Sequence, residues 1–192
     1  MNLLLAALAD AAESEDPQLP PQAALLPGAP RRTVWSDGAC LHPADPLLAR
    51  AAWGLRCSDR GEPNLVGPVE GPQTAQRAEV TAAAAAARVT GAPVDLVTDS
   101  QYVANGCAKI AAGAEVHEWE HADLWRQLAG VVRSGRLRAR WVPAHKTPAE
   151  ARRLGISERG RLDNAAAEPQ SCLQLWENHS ANLSQNGYEV CR

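Results

Sequence analysis

The alternation of apolar and polar positions becomes regular at residue 33 and predicts a chain of mixed strands and helices. Short runs bounded by Gly and Pro predict strands at 33–40, 51–57, 64–70, 94–98 and 137–141. A helical pattern over 75–90 contains six consecutive alanines and is ended by Gly91 and Pro93. Further helices are expected after Ser100, at 122–132 and at 161–168, with a polar loop at 143–160.

This order of elements predicts an α/β fold. Three strands followed by alternating helices and strands favour a mixed sheet flanked by helices, in which sites collect at the carboxyl ends of strands. The 192 residues suit one domain at 33–168, preceded by a Pro- and Ala-rich leader or linker at 1–32 and followed by a tail without clear structure at 169–192. No apolar run reaches the roughly 18–20 residues of a membrane span, and the five cysteines are scattered. We therefore expect an intracellular protein, cytoplasmic or nuclear, that does not enter a membrane.

The net charge of −3 conceals two segments of opposite sign. Residues 133–161 carry nine basic side chains against two acidic ones, whereas residues 115–123 carry four acidic side chains and no basic one. The basic segment has two interpretations: a solvated face, or a surface for phosphate groups.

Four carboxylates lie where a site of this fold would form. Asp37 lies inside the first strand, Glu79 in the first turns of the alanine-rich helix, Asp99 after the fourth strand and Asp163 in the last helix. Taken singly, each fits a solvated strand-end or helix-cap residue. Taken together, they form an oxygen-rich ligand set without matching Cys or His, which suits Mg²⁺ or Mn²⁺ better than Zn²⁺.

Four segments in a fixed order resemble the ribonuclease H family. They are VWSDG at 34–38, AQRAE at 75–79, TDSQYV at 98–103 and WVPAHK at 141–146. The family includes type-1 cellular enzymes and the ribonuclease H domains of reverse transcriptases. The resemblance implies a five-stranded mixed sheet with helices on both faces, and Mg²⁺-dependent endonucleolytic cleavage of the RNA strand of RNA–DNA hybrids.

The resemblance also assigns roles to individual residues. Asp37, Glu79, Asp99 and Asp163 match the family's four metal-binding carboxylates, and His145 matches its mobile-loop histidine. A two-metal mechanism would place Asp37 between two Mg²⁺ ions, for which Mn²⁺ can substitute. Glu79 and Asp99 would then serve one ion and Asp163 the other, while His145 moves a proton.

Substrate contacts are expected from four further residues. Gln76 and Ser100 are candidates for contacts with the minor groove of the hybrid, although they fit a helix-start residue and a helix cap equally well. Arg138 and Arg140 share one face of the last strand and are candidates for contacts with the phosphate backbone.

Departures from the family pattern leave alternatives open. The lead into Asp163 is Arg-Gly-Arg-Leu, and residues 106–121, where relatives carry a basic substrate-binding protrusion, are acidic. The chain could therefore be a catalytically decayed module that binds hybrid or a partner, or a domain that belongs to or is assisted by a reverse transcriptase. His117, Glu118 and His121 also fit the zinc-peptidase pattern H-E-x-x-H, but the glycines and acidic residues around them favour a surface loop.

Overall fold

The computed structural model describes residues 30–58, 64–90, 92–144 and 146–169. Residues 1–29 of the predicted leader (1–32) lie outside these ranges. The tail from residue 170 onward and His145 also lie outside them.

One mixed sheet of five strands organises the described residues, as the sequence predicts. Their order across the sheet is β3-β2-β1-β4-β5. β1 pairs antiparallel with β2 and parallel with β4, so it is the central strand. β2 also pairs antiparallel with β3, and β4 pairs parallel with β5. The strands are β1 (Arg32–Leu41), β2 (Arg50–Cys57), β3 (Leu65–Pro68), β4 (Val94–Thr98) and β5 (Leu137–Trp141).

Helices cover both faces of this sheet. They are α1 (Ala75–Val89), α2 (Gln101–Ala111), α3 (Ala122–Arg133), α4 (Pro148–Arg153) and α5 (Glu158–Ala167). The larger core lies between the sheet and α1, α2 and α3, and it is centred on the fully buried Leu96, Leu128 and Trp125. A smaller core joins Trp35 and Val97 to α5 on the opposite face. In the described part of the chain, no helix combines the length and the apolar character needed to cross a bilayer.

Small side chains bring α1 unusually close to the central strand. The alanines at 82–86 are buried, and a Cβ on Gly38 of β1 would collide with the backbone of Ala78 and Glu79. A side chain at position 38 would therefore push the helix away from the sheet. The close approach fixes the height of Glu79 relative to the neighbouring Asp37.

Three details of the predicted elements are wrong. The expected polar loop at 143–160 contains α4, which starts at a capping box of Thr147 and Glu150 with Pro148 at its first position. The last helix begins at Glu158, three residues earlier than predicted, because Ser157 caps it. The strand expected over 64–70 is β3, which is only four residues long.

Candidate active site

Two of the predicted carboxylates meet because two parallel strands end side by side. Ser36 of β1 and Thr98 of β4 form the last residue pair of that ladder, and Asp37 and Asp99 follow them directly. Glu79, in the second turn of α1, reaches the same point from above the sheet. One carboxylate oxygen from each of Asp37, Glu79 and Asp99 lies within 4.8 Å of the others.

Backbone contacts hold the two aspartates in place. The Gly38 amide donates to Oδ1 of Asp37 at 2.8 Å. The Trp141 indole of β5 donates to the backbone carbonyl of Asp99 at 2.9 Å, and the Ser100 amide donates to Oγ1 of Thr98 at 3.1 Å. The turn that follows β4 is thereby fixed from both sides before α2 begins.

Glu79 lies in an environment that opposes a negative charge on its side chain. Burial is the largest cause, and together with the nearby charges of Asp37 and Asp99 it raises the pKa of Glu79 to about 9. Its Oε2 is buried and has no hydrogen-bond partner among the described residues. A divalent cation would satisfy this oxygen and relieve the repulsion, so the three residues fit a hard metal ion.

Asp163 lies apart from this cluster. Its carboxylate is almost fully buried and accepts hydrogen bonds from Arg159 Nε at 3.0 and 3.1 Å, Arg56 Nε at 3.4 Å and Ser58 Oγ at 3.3 Å. Arg56 pairs across the sheet with Trp35, two residues before Asp37. The structure therefore brings three of the four predicted carboxylates together, whereas the fourth, Asp163, forms ion pairs with Arg56 and Arg159.

The four predicted substrate-contact residues are accessible or partly accessible. Gln76 is exposed in the first turn of α1. Ser100 is half-buried beside the carboxylates and caps α2 by accepting from the Val103 amide at 3.4 Å. Arg138 and Arg140 are exposed on β5, the edge strand of the sheet. His145, the predicted proton carrier, lies outside the described residues, in the segment between β5 and α4.

The structure does not support a peptidase zinc site at His117, Glu118 and His121. The segment forms turns and not a helix, so its two histidines do not share one helical face. The His117 side chain is 68% exposed, whereas the His121 side chain is 5% exposed. Burial lowers the pKa of His121, which immediately precedes α3 and has a left-handed backbone conformation.

Sequence reasoning missed the arginines that organise the site. Arg77, two residues before Glu79, forms a bidentate pair with Asp123 at 2.6 and 3.0 Å and donates to the Glu70 carbonyl at 2.7 Å. It thereby ties the start of α1 to the start of α3. The position of Arg77 within the AQRAE motif was the feature of the sequence that could have drawn attention to it. The pairing of Asp163 with Arg159 was also readable as an i, i+4 pair.

A family model described as RNase H matches residues 30–154 of the chain. The Ribonuclease H of Alkalilimnicola ehrlichii is 33% identical over 127 residues, covering 61% of this chain and 84% of the relative. The Ribonuclease H of Afipia carboxidovorans is 32% identical over 154 residues, covering 74% of this chain and 94% of the relative. The family match ends before α5, so Asp163 lies beyond it.

Solved structures show the same fold. The RNase H domain of prototype foamy virus superposes with a TM-score of 0.53 at 22% identity, covering 71% of this chain and 89% of that domain. The protease–reverse transcriptase of the same virus gives a TM-score of 0.50 at 20% identity. That match covers 71% of this chain but 20% of the viral protein, so it concerns one part of a much longer chain.

Proposed function

The chain belongs to the ribonuclease H family, and we propose that it is an endonuclease that hydrolyses the RNA strand of RNA–DNA hybrids. The observation that carries this proposal is the convergence of Asp37, Glu79 and Asp99 at the ends of two parallel strands. Their arrangement suits a divalent cation, and phosphodiester hydrolysis is a reaction that divalent cations support.

We propose Mg²⁺ as the cation, with Mn²⁺ able to replace it, because all the candidate ligands are carboxylate oxygens. Bound by these carboxylates, two ions would supply activation of the attacking water and neutralisation of charge on the phosphoryl group. Asp37 would contact both ions because it lies on the central strand, and Glu79 and Asp99 would complete one site. The assignment of Asp163 to the second ion is a prediction that requires its release from Arg56 and Arg159.

The remaining roles fall to residues around the carboxylates. His145, whose imidazole titrates near neutral pH, would carry a proton to or from the reacting oxygens. Ser100 and Gln76 would contact the minor groove, where the 2′-hydroxyl distinguishes RNA from DNA. Arg138 and Arg140 would bind backbone phosphates from the edge strand.

The charge distribution also indicates that a partner supplies part of the affinity for the hybrid. Glu115, Glu118 and Glu120 are exposed between α2 and α3, and they repel phosphate. The family's occurrence within reverse transcriptases offers one such arrangement, as in the foamy virus protein. We propose that this chain acts as part of, or together with, a reverse transcriptase or another nucleic-acid-binding protein.

The test is cleavage of an end-labelled RNA–DNA hybrid in Mg²⁺ and in EDTA. We expect cleavage in Mg²⁺ but not in EDTA, and we expect Asp99→Asn to abolish it, because this change removes a ligand charge at nearly constant volume. Asp95→Asn is the matched control, since Asp95 lies on β4, the strand that Asp99 follows, and pairs with Arg31 at 2.6 Å. Tight hybrid binding without cleavage in any divalent cation would instead support a decayed binding module.

A further inference from the structure

The environment of Asp163 is the least expected feature of the site. Both of its oxygens are in use: Oδ1 accepts from Arg159 and Arg56, and Oδ2 accepts from Arg159 and Ser58. The side chain is 5% exposed. A cation can coordinate this carboxylate only after at least one of these donors has left.

The charge balance also opposes a cation at Asp163. Two guanidinium groups share one carboxylate, so the group of three side chains carries an excess of one positive charge. Adding a divalent ion would leave four positive charges to share a single carboxylate. Repulsion inside a poorly solvated site makes this arrangement unfavourable until one arginine moves away.

Arg56 and Arg159 differ in how firmly they are held. Arg56 lies on β2, is 24% exposed, and also donates to Oδ1 of Asn64 at 3.1 Å. Asn64 in turn donates to the Ala166 carbonyl at 2.8 Å, so Arg56 belongs to a network that attaches α5 to the sheet. Arg159 is 56% exposed.

Helix electrostatics make Arg159 the exchangeable partner. It lies in the first turn of α5, where the helix dipole disfavours a cation. An arginine four residues before an aspartate is also the weaker order for such a pair. The Arg159 guanidinium is therefore free to leave when a stronger anion arrives, whereas Arg56 stays.

We propose that Arg159 is a positioning residue that latches Asp163 and competes directly with a divalent cation for its carboxylate. In the protein without nucleic acid, the site then takes up one cation, at Asp37, Glu79 and Asp99. A backbone phosphate of the hybrid, which binds a guanidinium more strongly than a shared carboxylate does, draws Arg159 away and exposes Asp163 to a second cation. This inference rests on the proposed function, because the second cation is the one that the nuclease requires.

The test is a calorimetric titration of the full chain with Mn²⁺ alone. We expect one bound ion for the wild type and a second ion for Arg159→Gln, with an affinity for that ion raised at least tenfold. Arg161→Gln is the matched control, because Arg161 pairs with Glu158 on the same helix and does not contact Asp163. It should titrate like the wild type.

Three further arms exclude a merely structural effect. Arg159→Lys should restore the single-ion titration, because a lysine keeps the competing charge. Adding Asp163→Asn to Arg159→Gln should abolish the second ion. Titrated with Ca²⁺, which is expected to occupy the site without supporting cleavage, the wild type should take up one ion alone and a second ion in the presence of the unmodified hybrid.

Two results would overturn the latch. One is a wild type that binds two Mn²⁺ ions without nucleic acid. The other is an Arg159→Gln titration that matches the wild type or keeps its extra ion after Asp163→Asn. Either result leaves the nuclease proposal intact if Mg²⁺-dependent cleavage is observed, whereas a wild type that neither binds Mn²⁺ nor cleaves hybrid contradicts both.

Discussion

At the scale of one residue, Glu79 is a candidate metal ligand whose burial lowers the stability of the fold. Its oxygen Oε2 is buried without a hydrogen-bond partner, and burial together with Asp37 and Asp99 raises its pKa to about 9. The metal-free protein therefore carries a strained carboxylate at the start of its central helix. A bound cation removes the strain, so metal binding and folding stability are coupled at this residue.

We expect Glu79→Gln to stabilise the metal-free protein by about 1–3 kcal/mol at neutral pH, because a neutral amide avoids the cost of taking up a proton when the carboxyl group is buried. Because the native pKa is raised, the native state holds this proton more firmly than the unfolded state does. The free energy of unfolding of the wild type should therefore fall as the pH rises from near 4.5 to about 9.

Urea unfolding in EDTA at pH 5, 7 and 9 measures this effect. The contribution of residue 79 to the pH dependence should be absent in the Gln variant, and Mg²⁺ should stabilise the wild type more than the variant. Equal slopes with pH in the two proteins would contradict the assigned environment of Glu79.

A second prediction at this scale concerns His145 and rests on the sequence motif WVPAHK alone. We expect His145→Ala to slow hybrid cleavage by roughly 10²–10⁴-fold, the range for lost acid–base assistance, and to leave Mn²⁺ affinity unchanged. Single-turnover cleavage and a Mn²⁺ titration separate the two effects. Loss of Mn²⁺ binding would make His145 a ligand.

At the scale of elements, close packing between helices positions the acidic residues. Gly106 on α2 receives the indole of Trp125 from α3, and a Cβ at position 106 would collide with that ring. Trp125 is fully buried, and its ring also makes edge contacts with Tyr102 and Trp119. The contact fixes α2, whose first turn adjoins Asp99.

We expect Gly106→Ala to destabilise the fold by about 1–3 kcal/mol, the usual cost of overpacking, although alanine is the better helix former. Gly130→Ala on α3 is the matched control, because a Cβ there meets nothing within 4 Å. That substitution should stabilise the protein by about 0.5–1 kcal/mol. Thermal unfolding of both variants checks the pair, and a Gly106→Ala protein as stable as the control would refute the contact.

The elements themselves were largely readable from the sequence, for identifiable reasons. The predicted bounds of β4, from its short apolar segment, and of β5, from its alternation of apolar residues with arginines, match the structure, and the alanine-rich pattern predicts α1 to within one residue. α4 was missed although Thr147-Pro148-Ala149-Glu150 is a capping signature, because a six-residue helix shows little hydrophobic periodicity. Arg159 was readable as a partner of Asp163 from their i, i+4 spacing, whereas Arg56 was not, since that pairing depends on how α5 packs against β2.

At the scale of the whole molecule, opposite charges lie on different surfaces. Arg138 and Arg140 are exposed on the edge strand, and among the described residues neither takes part in an ion pair. Arg133 instead pairs with Glu115 at 3.3 Å and so belongs to the acidic side. The interpretation of the basic segment as a surface for phosphates therefore stays a prediction for its strand residues, Arg138 and Arg140.

We expect Arg138→Ala/Arg140→Ala to weaken hybrid binding and to make its salt dependence shallower. Each lost phosphate contact should reduce the slope of log K against log salt by about 0.7–0.9. Binding measured in Ca²⁺ across a salt series checks this, with Arg133→Ala as the control. An unchanged slope and affinity in the double variant would assign these arginines to a solvated face.

The parallel pairing of β1 with β4 has a consequence for how the chain folds. β1 can form its hairpin with β2 from neighbouring sequence, but Ser36 and Thr98 are 62 residues apart in the chain. Long-range pairings of this kind bear the larger loop-closure entropy and are slow to form. Asp37 and Asp99 become neighbours only when that pairing is complete, so a partly folded chain lacks the cation site. Cation uptake should therefore follow the late phase of refolding and report the finished sheet.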